Sequence, residues 1–264
     1  MPAEPPARQV SAGIKIHVLT EPGQPAFVNA IMAYCLRYPH IPSDIHLVIC
    51  DMDGLLLDTE RLSEDSFRQT STAFDLAFDE RLFSALTGLS GSAHLPVLKA
   101  HLPGVIDAAA FDRHWKQIYH GSLVEHVPVM AGAAAFATCV SRAGLPFAVA
   151  TSSRTDKATD QLSRAGLAPY FDLIIGGDQV EDAKPDPAIY HKVISSFGVE
   201  AAQVLVLEDS NNGVRAGLAA GANVVQIPDR LVPDPAFAGQ PRYHRQDSLA
   251  AVRACLTVAA CGQP

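Results

Sequence analysis

The sequence predicts an α/β protein built on a doubly wound parallel sheet, with an α-helical domain inserted after the first strand. Between residues 45 and 229, short apolar runs alternate with helical stretches, a pattern typical of strands joined by crossover helices. One long segment, residues 60–127, breaks this alternation and is helical throughout. Polar residues follow several of the apolar runs directly, at the strand ends where doubly wound sheets bind their ligands.

The predicted strands are short runs of apolar residues. The first, IHLVIC at 45–50, ends at Asp51 and is typical of a strand buried on both faces. The later runs are PFAVA before Thr151, FDLIIG before Gly177, VLVL before Glu208 and NVVQI before Pro228. The stretches between these runs are predicted to be helices. Several of them end in glycine, the usual stop signal of a helix.

The chain of 264 residues is long enough for a core domain and a smaller second domain. We predict a core formed by residues 45–59 and 128–264, and a helical cap formed by residues 60–127. Residues 1–44 are rich in proline and are expected either to form a loosely attached N-terminal extension, with disorder or one or two helical turns, or to stem from an upstream start codon that is not used. The cap is expected to open and close on hinges near Asp58–Thr59 and Val127–Pro128.

Composition restricts the class of partner. Hydrophobic residues make up 48% and charged residues 18% of the chain, which is typical of a soluble protein with a large core. The net charge of -8 argues against nucleic acid as a partner, and no apolar segment is long enough to span a membrane. The 5 cysteines form no CxxC pair, which suits a reducing compartment. We expect a cytoplasmic protein, monomeric or a small homo-oligomer, that acts on a small molecule.

Two pairs of acidic residues follow predicted strands. Asp51 and Asp53 are two positions apart, so both can face one cleft, and Glu208 and Asp209 follow a later strand. Neighbouring carboxylates are costly unless a cation compensates their charge, and Mg²⁺ prefers carboxylate and carbonyl oxygens. One such pair is equally well explained as a helix cap or a turn, but two pairs at matching strand ends favour a metal site.

Other candidate residues would bind an anion near these carboxylates. Thr151, Ser152 and Ser153 follow a strand and open a helix, a common anion-binding arrangement that is also an ordinary helix cap. Lys184, in the segment AKPDP, offers a cation, although a lone lysine before proline is usually a solvated loop residue.

The segments VICDMDGLLLDTE, VATSS, AKPDP and LEDSNNG resemble, in order, the four motifs of the haloacid dehalogenase superfamily. The resemblance extends over residues 45–229, and the helical insertion is similar to the cap of subfamily I. Four motifs in the correct order are a specific signal. The resemblance implies a phosphatase in which Asp51 is the nucleophile that forms an aspartyl-phosphate and Asp53 is the general acid and base.

The resemblance also implies the roles of the remaining candidates. Lys184 and Thr151, together with Ser152, would bind the phosphoryl group and stabilise its charge. The cofactor would be Mg²⁺, and its ligands would be Asp51, the backbone carbonyl of Asp53, Asp209 and, as an assisting residue, Glu208.

Other members of the superfamily are alternatives. Dehalogenases generally lack the second aspartate, which is present here as Asp53. Phosphonatases use a cap lysine, but Lys99 and Lys116 lie in no recognisable motif. β-Phosphoglucomutases use a histidine after the first motif and an arginine in a cap loop, and Ser63 and Gly91 occupy those places here. Hydrolysis is therefore favoured over a mutase reaction, which remains the alternative.

The substrate class is predicted only in outline. The amino-acid sequences of the motifs are similar to those of phosphatases acting on pseudouridine, sugar or polyol phosphates. We therefore expect the substrate to be a sugar, polyol or nucleoside monophosphate. The loop at residues 87–91 either overhangs the cleft and selects the leaving group or is a plain interhelical turn. A non-catalytic phospho-accepting or binding module is disfavoured, because every catalytic position of the family pattern is present.

Overall fold

The computed structural model describes residues 45–87, 89 and 93–258. The predicted N-terminal extension, residues 1–44, lies outside the described residues, and so do Gly88, Ser90 and Gly91 of the cap loop. The described part of the chain contains a parallel sheet with helices on both faces, which confirms the predicted fold class. None of its helices combines the length and the apolar character needed to cross a membrane.

The sheet has six parallel strands in the spatial order β3-β2-β1-β4-β5-β6. The strands are β1 (Leu47–Cys50), β2 (Phe147–Thr151), β3 (Leu173–Gly176), β4 (Val204–Glu208), β5 (Asn223–Gln226) and β6 (Tyr243–Arg245). The chain adds strands on one side of β1 and then returns to its other side with β4. The carboxyl ends of β1 and β4 therefore meet where the strand order reverses, the usual ligand site of such sheets.

Apolar side chains cover both faces of the sheet, and the central strand β1 is apolar at every position. In β1, Val48 and Cys50 point into one buried cluster, whereas Leu47 and Ile49 point into the cluster on the opposite face. All four side chains are at most 2% exposed. Successive residues of a strand face opposite sides, so a continuous apolar run is required by two-sided burial. Burying each such side chain contributes about 1.5–3 kcal/mol.

The helices are grouped by position: those of the segment inserted after β1 are called the cap helices, and those that pack on the sheet are called the core helices. The cap helices are α1 (Thr59–Ala73), α2 (Glu80–Leu86), α3 (His94–His101) and α4 (Ala108–Glu125). The core helices are α5 (Ala133–Arg142), α6 (Thr155–Arg164), α7 (Ala188–Phe197), α8 (Asn211–Ala219) and α9 (Leu249–Val258). Apolar side chains of α5, α6 and α9 cover one face of the sheet, and those of α7 and α8 cover the other.

The cap helices have an apolar cluster of their own. Phe67 of α1 lies at its centre, with its ring centroid 5.0 Å from that of Trp115 and 5.2 Å from that of Phe111, both in α4. These rings meet edge to face, the arrangement that aromatic quadrupoles favour. Trp115 is 5% exposed, as expected for a residue of the cap core.

The two chain segments that join cap and core are paired with each other. Leu57, before the cap, forms an antiparallel bridge with Val129, after it. The backbone N–H of Asp58 donates to the carbonyl of Pro128 at 2.9 Å, and the N–H of Met130 donates to the carbonyl of Leu56 at 2.9 Å. The chain therefore leaves and re-enters the core through one narrow ribbon, next to the end of β1.

Candidate active site

Lys184 joins the two acidic strand ends at the centre of the site. Its Nζ donates to Asp51 Oδ1 at 2.6 Å, to Glu208 Oε1 at 2.7 Å and to the Ala150 carbonyl at 2.9 Å. An ammonium group has three protons, so each is used. The side chains of Lys184 and Asp51 are 5% and 10% exposed. Asp51 directly follows β1, and its N–H donates to the Leu207 carbonyl of β4, so the sheet itself places this carboxylate.

Glu208, the last residue of β4, is fully buried and hydrogen-bonded at both oxygens. Oε1 accepts from Lys184 and from the Tyr190 hydroxyl, each at 2.7 Å, while Oε2 accepts from Ser210 N at 3.2 Å and from Ser210 Oγ at 3.1 Å. A Cβ on Gly213 would lie 1.8 Å from Oε1. The first turn of α8 therefore accommodates this carboxylate only because residue 213 has no side chain.

Three carboxylates form a candidate cation site. Asp51, Glu208 and Asp209 each offer an oxygen within 4.8 Å of the others. Gly54, at a φ of +79°, lies so close that a Cβ would be 2.5 Å from Asp209 Oδ2. Oxygen donors crowded around one point fit a hard divalent cation such as Mg²⁺. Asp53 contributes no carboxylate oxygen to this group of described residues, and the role of its backbone carbonyl stays a prediction.

The charges at this site depend strongly on one another. Burial raises the pKa of Asp51 to about 7, with Lys184 opposing the shift and Glu208 and Asp53 adding to it. Burial, followed by the charges of Glu208 and Asp51, raises the pKa of Asp209 well above its ordinary value. Burial works against the charge of Lys184, but Asp51 and Glu208 raise its pKa well above the ordinary range. Lys184 alone thus does not offset the cost of ionising these buried carboxyl groups, and a bound cation would reduce that cost.

Asp53 lies among hydroxyl groups. Its Oδ1 accepts from Thr59 Oγ1 at 2.7 Å, and its Oδ2 accepts from Ser153 Oγ at 2.9 Å and from Thr151 Oγ1 at 3.4 Å. Thr59 begins α1 and is 2% exposed, so the first turn of the cap reaches this carboxylate. Asp53 is therefore held by the cap on one oxygen and by the end of β2 on the other.

The turn after β2 brings polar groups to the same place. Thr151 is 1% exposed, and its Oγ1 accepts the backbone N–H of Ser153 at 3.1 Å. Ser152 is exposed, and no described residue hydrogen-bonds to its hydroxyl. Ser153 is thus the serine of this turn that contacts Asp53, while the phosphate-binding role of Ser152 stays a prediction.

Another carboxyl group and a cap tyrosine, called the wall of the site below, interact electrostatically with Asp53. Burial, followed by the charges of Asp53 and Asp229, raises the pKa of Glu60 to about 7, and Arg230 opposes this. Burial, followed by the charges of Asp53 and Glu60, raises the pKa of Tyr119 above its ordinary value. Tyr119 belongs to α4, so both cap helices that flank the connecting ribbon contribute to this wall.

The structure brings most of the predicted site residues together. Hydrogen bonds join Lys184 to Asp51 and Glu208, and Asp53 to Thr151, while Asp209 lies beside the first two carboxylates. The cap residues Ser63 and Trp115 are instead paired with each other, since the Trp115 indole N–H donates to the Ser63 carbonyl at 3.0 Å.

The sequence analysis did not identify Thr59, Tyr190 or Glu60 as site residues, and it named Ser153 only as part of the anion-binding turn. Thr59 and Glu60 complete the segment DGLLLDTE, and Ser153 completes VATSS, so their place beside recognised motifs was an available signal. Tyr190 is 18 residues from Glu208, and no local pattern indicates that α7 directs its hydroxyl to the end of β4.

Comparison with known proteins places this geometry in a family. The family model described as haloacid dehalogenase-like hydrolase matches residues 48–227. A phosphorylated carbohydrates phosphatase of Thermotoga maritima is 33% identical over 177 residues, which cover 66% of this chain and 81% of that protein. The fructose-1-phosphate phosphatase YqaB of Escherichia coli is 28% identical, covering 68% of this chain and 95% of that protein. The crystal structure of CbbY from Rhodobacter sphaeroides in complex with xylulose-1,5-bisphosphate is similar, with a TM-score of 0.64 and 27% identity over 80% of this chain and 99% of that one.

Proposed function

Since the chain belongs to the haloacid dehalogenase-like hydrolase family and is an enzyme of its phosphatase group, we propose that it hydrolyses small phosphomonoesters through an aspartyl-phosphate. The observation that supports this most is the contact of Lys184 with Asp51. A nucleophilic carboxylate needs a cation beside it to receive an anionic phosphoryl group, and Lys184 Nζ is 2.6 Å from Asp51 Oδ1.

In the first step an oxygen of Asp51 bonds to phosphorus while the bond from phosphorus to the ester oxygen breaks. Asp53 gives its proton to the departing oxygen, which leaves as an alcohol. As the Asp51 carboxylate becomes an acyl phosphate, it loses its negative charge. Lys184 is then free to donate to a phosphoryl oxygen instead. The hydroxyl of Thr151 and the exposed Ser152 beside it would contact the same group.

In the second step a water molecule attacks phosphorus, and the bond between phosphorus and Asp51 breaks. Asp53, now ionised, takes the proton that the water loses. Phosphate leaves, and both aspartates return to their starting states. The contacts from Thr59 and Ser153 hold Asp53 at the entrance from which both the leaving alcohol and the water must reach it.

The proposed cofactor is Mg²⁺, held by Asp51, Asp209 and the backbone carbonyl of Asp53, with Glu208 beside them. When bound, the ion would neutralise charge on the carboxylates and the phosphoryl group and fix their mutual orientation. The raised pKa values of Asp51 and Asp209 support this proposal, because burial and the neighbouring carboxylates disfavour their ionised forms and a bound cation would offset this.

The proposed substrates are sugar, polyol or nucleoside monophosphates. The relatives named above are a phosphatase of phosphorylated carbohydrates and one of fructose 1-phosphate, which supports the sugar and polyol classes. A phosphoglucomutase-like reaction is the second candidate, since a solved structure of similar shape is named as a β-phosphoglucomutase, with a TM-score of 0.67. Ser63 offers no imidazole at the place where mutases have histidine, and this favours hydrolysis.

Phosphate release from a panel of sugar, polyol and nucleoside monophosphates tests the proposal. The assay compares Mg²⁺ with EDTA, and wild type with Asp51→Asn and with Asp247→Asn, a control whose side chain is 91% exposed. We expect metal-dependent release that Asp51→Asn abolishes and Asp247→Asn leaves intact. Full activity in Asp51→Asn would refute the proposed nucleophile. Conversion of a sugar phosphate into its isomer without release of phosphate would favour the mutase.

A further inference from the structure

The buried hydroxyl of Tyr190 is a part of the site that the two-step mechanism does not use. Tyr190 lies in α7 and is 0% exposed, and its hydroxyl donates to Glu208 Oε1 at 2.7 Å. Lys184 donates to the same oxygen at 2.7 Å, and its Nζ lies 5.0 Å from the centroid of the Tyr190 ring. The tyrosine therefore interacts with the catalytic lysine in two ways: indirectly, through the carboxylate oxygen to which both donate, and directly, through its ring.

An ionised carboxylate has about four lone-pair sites. Those of Glu208 are taken by four donors: Lys184 and Tyr190 at Oε1, and the backbone N–H and the hydroxyl of Ser210 at Oε2. This set of donors fixes the position of the carboxylate and saturates it. Lys184 is one of these donors, and an oxygen of Glu208 also lies within 4.8 Å of the oxygens that Asp51 and Asp209 offer to a cation.

We propose that Tyr190 is a positioning residue, which holds Glu208 so that Lys184 points at the nucleophile Asp51. This inference rests on the proposed function. Without the hydroxyl, Oε1 has Lys184 as its single donor, and the carboxylate draws the ammonium group towards itself and away from the phosphoryl group. Because such buried hydrogen bonds act as a network, losing one donor shifts the others.

The test is Tyr190→Phe, which keeps the ring and removes the hydroxyl alone. We expect kcat to fall roughly 10- to 100-fold, since a small displacement of a charge-stabilising group is costly, while KM changes less than about threefold. Mg²⁺ affinity, measured by calorimetry without substrate, should stay within about twofold of wild type, because Tyr190 acts on the lysine. Asp209→Asn is the comparison in which Mg²⁺ affinity should fall.

A matched control and a double variant separate positioning from packing. Tyr170→Phe removes a hydroxyl that is also paired with another residue, Thr138 Oγ1 at 3.1 Å, and it should leave kcat unchanged. In a Glu208→Gln background, Tyr190→Phe should cause almost no further loss, because residues that act through one contact are not additive.

Particular results would overturn the inference. Wild-type kcat in Tyr190→Phe would exclude the role, and full additivity with Glu208→Gln would show that the tyrosine does not act through that carboxylate. Weakened Mg²⁺ binding that accounts for the loss of kcat would place Tyr190 with the cation instead of the lysine. A wild type that releases phosphate from no ester would refute the proposed function, and the inference with it, whereas an active wild type confines the failure to Tyr190.

Discussion

Glu60 should lower the stability of the folded protein at neutral and alkaline pH, and Glu60→Gln should remove this effect. Burial, then Asp53 and Asp229, raises the pKa of Glu60 from an ordinary 4.5 to about 7. At about 1.36 kcal/mol for each pH unit, this difference of about 2.5 corresponds to about 3.4 kcal/mol. Because Glu60 is partly exposed to solvent, we expect the substitution to stabilise the protein by about 1–3 kcal/mol at pH 8.

The sign follows from proton binding. Below pH 4.5 the carboxyl of Glu60 is protonated in both the folded and the unfolded chain, so its titration has no effect. Between pH 4.5 and about 7 the unfolded chain ionises first, while the folded protein keeps its proton. The free energy of unfolding therefore falls as the pH rises through this window, and the loss is complete above it.

Urea denaturation at several pH values between 4.5 and 8, in EDTA so that no cation changes the local charge, measures the effect. The difference between Glu60→Gln and wild type should be near zero at the lower limit and should grow towards pH 8. Glu181→Gln, at an exposed position, is the matched control and should show no such growth. A difference that is constant with pH, or that grows as the pH falls, would refute the assignment of a raised pKa to Glu60.

Lys184→Met should abolish phosphate release. It should also lower the free energy of unfolding by about 3–5 kcal/mol in EDTA, because it leaves Asp51 and Glu208 buried without their cation. Retained activity in the release assay would contradict the role of the lysine. Gly213→Ala should cost about 2–4 kcal/mol in thermal unfolding, because its Cβ would meet Glu208. Gly121→Ala, in an exposed part of α4 with nothing within 4 Å, should stabilise by about 0.5–1 kcal/mol, and equal effects of the two substitutions would refute the steric argument.

The strands were predictable where burial on two faces required uniform apolar runs. The run at 45–50 became β1, and the four later runs became β2 to β5. β6, Tyr243–Arg245, was missed because an edge strand of three polar and aromatic residues has no such run. α3 was missed as a separate helix, since Pro96 in its first turn and its short length interrupt any helical periodicity.

The site was predictable to the extent that it is built from strand ends. Parallel strands bring their carboxyl ends to one edge, so Asp51 and Glu208 were expected to be neighbours before their contacts with Lys184 were known. The contact between Tyr190 and Glu208 could not be foreseen, because it depends on how α7 packs on the sheet. The raised pKa of Glu60 likewise depends on burial between cap and core, which a linear sequence does not encode locally.

The paired ribbon formed by Leu56–Asp58 and Pro128–Met130 has a consequence for how this fold can be altered. Backbone hydrogen bonds already hold its two sides together, so whatever lies between residues 59 and 127 need only begin and end at adjacent points. The intervening helices are in this respect an exchangeable module. A short turn in their place would leave every strand of the sheet and its register intact, and a different set of helices could be attached there to serve the same catalytic core.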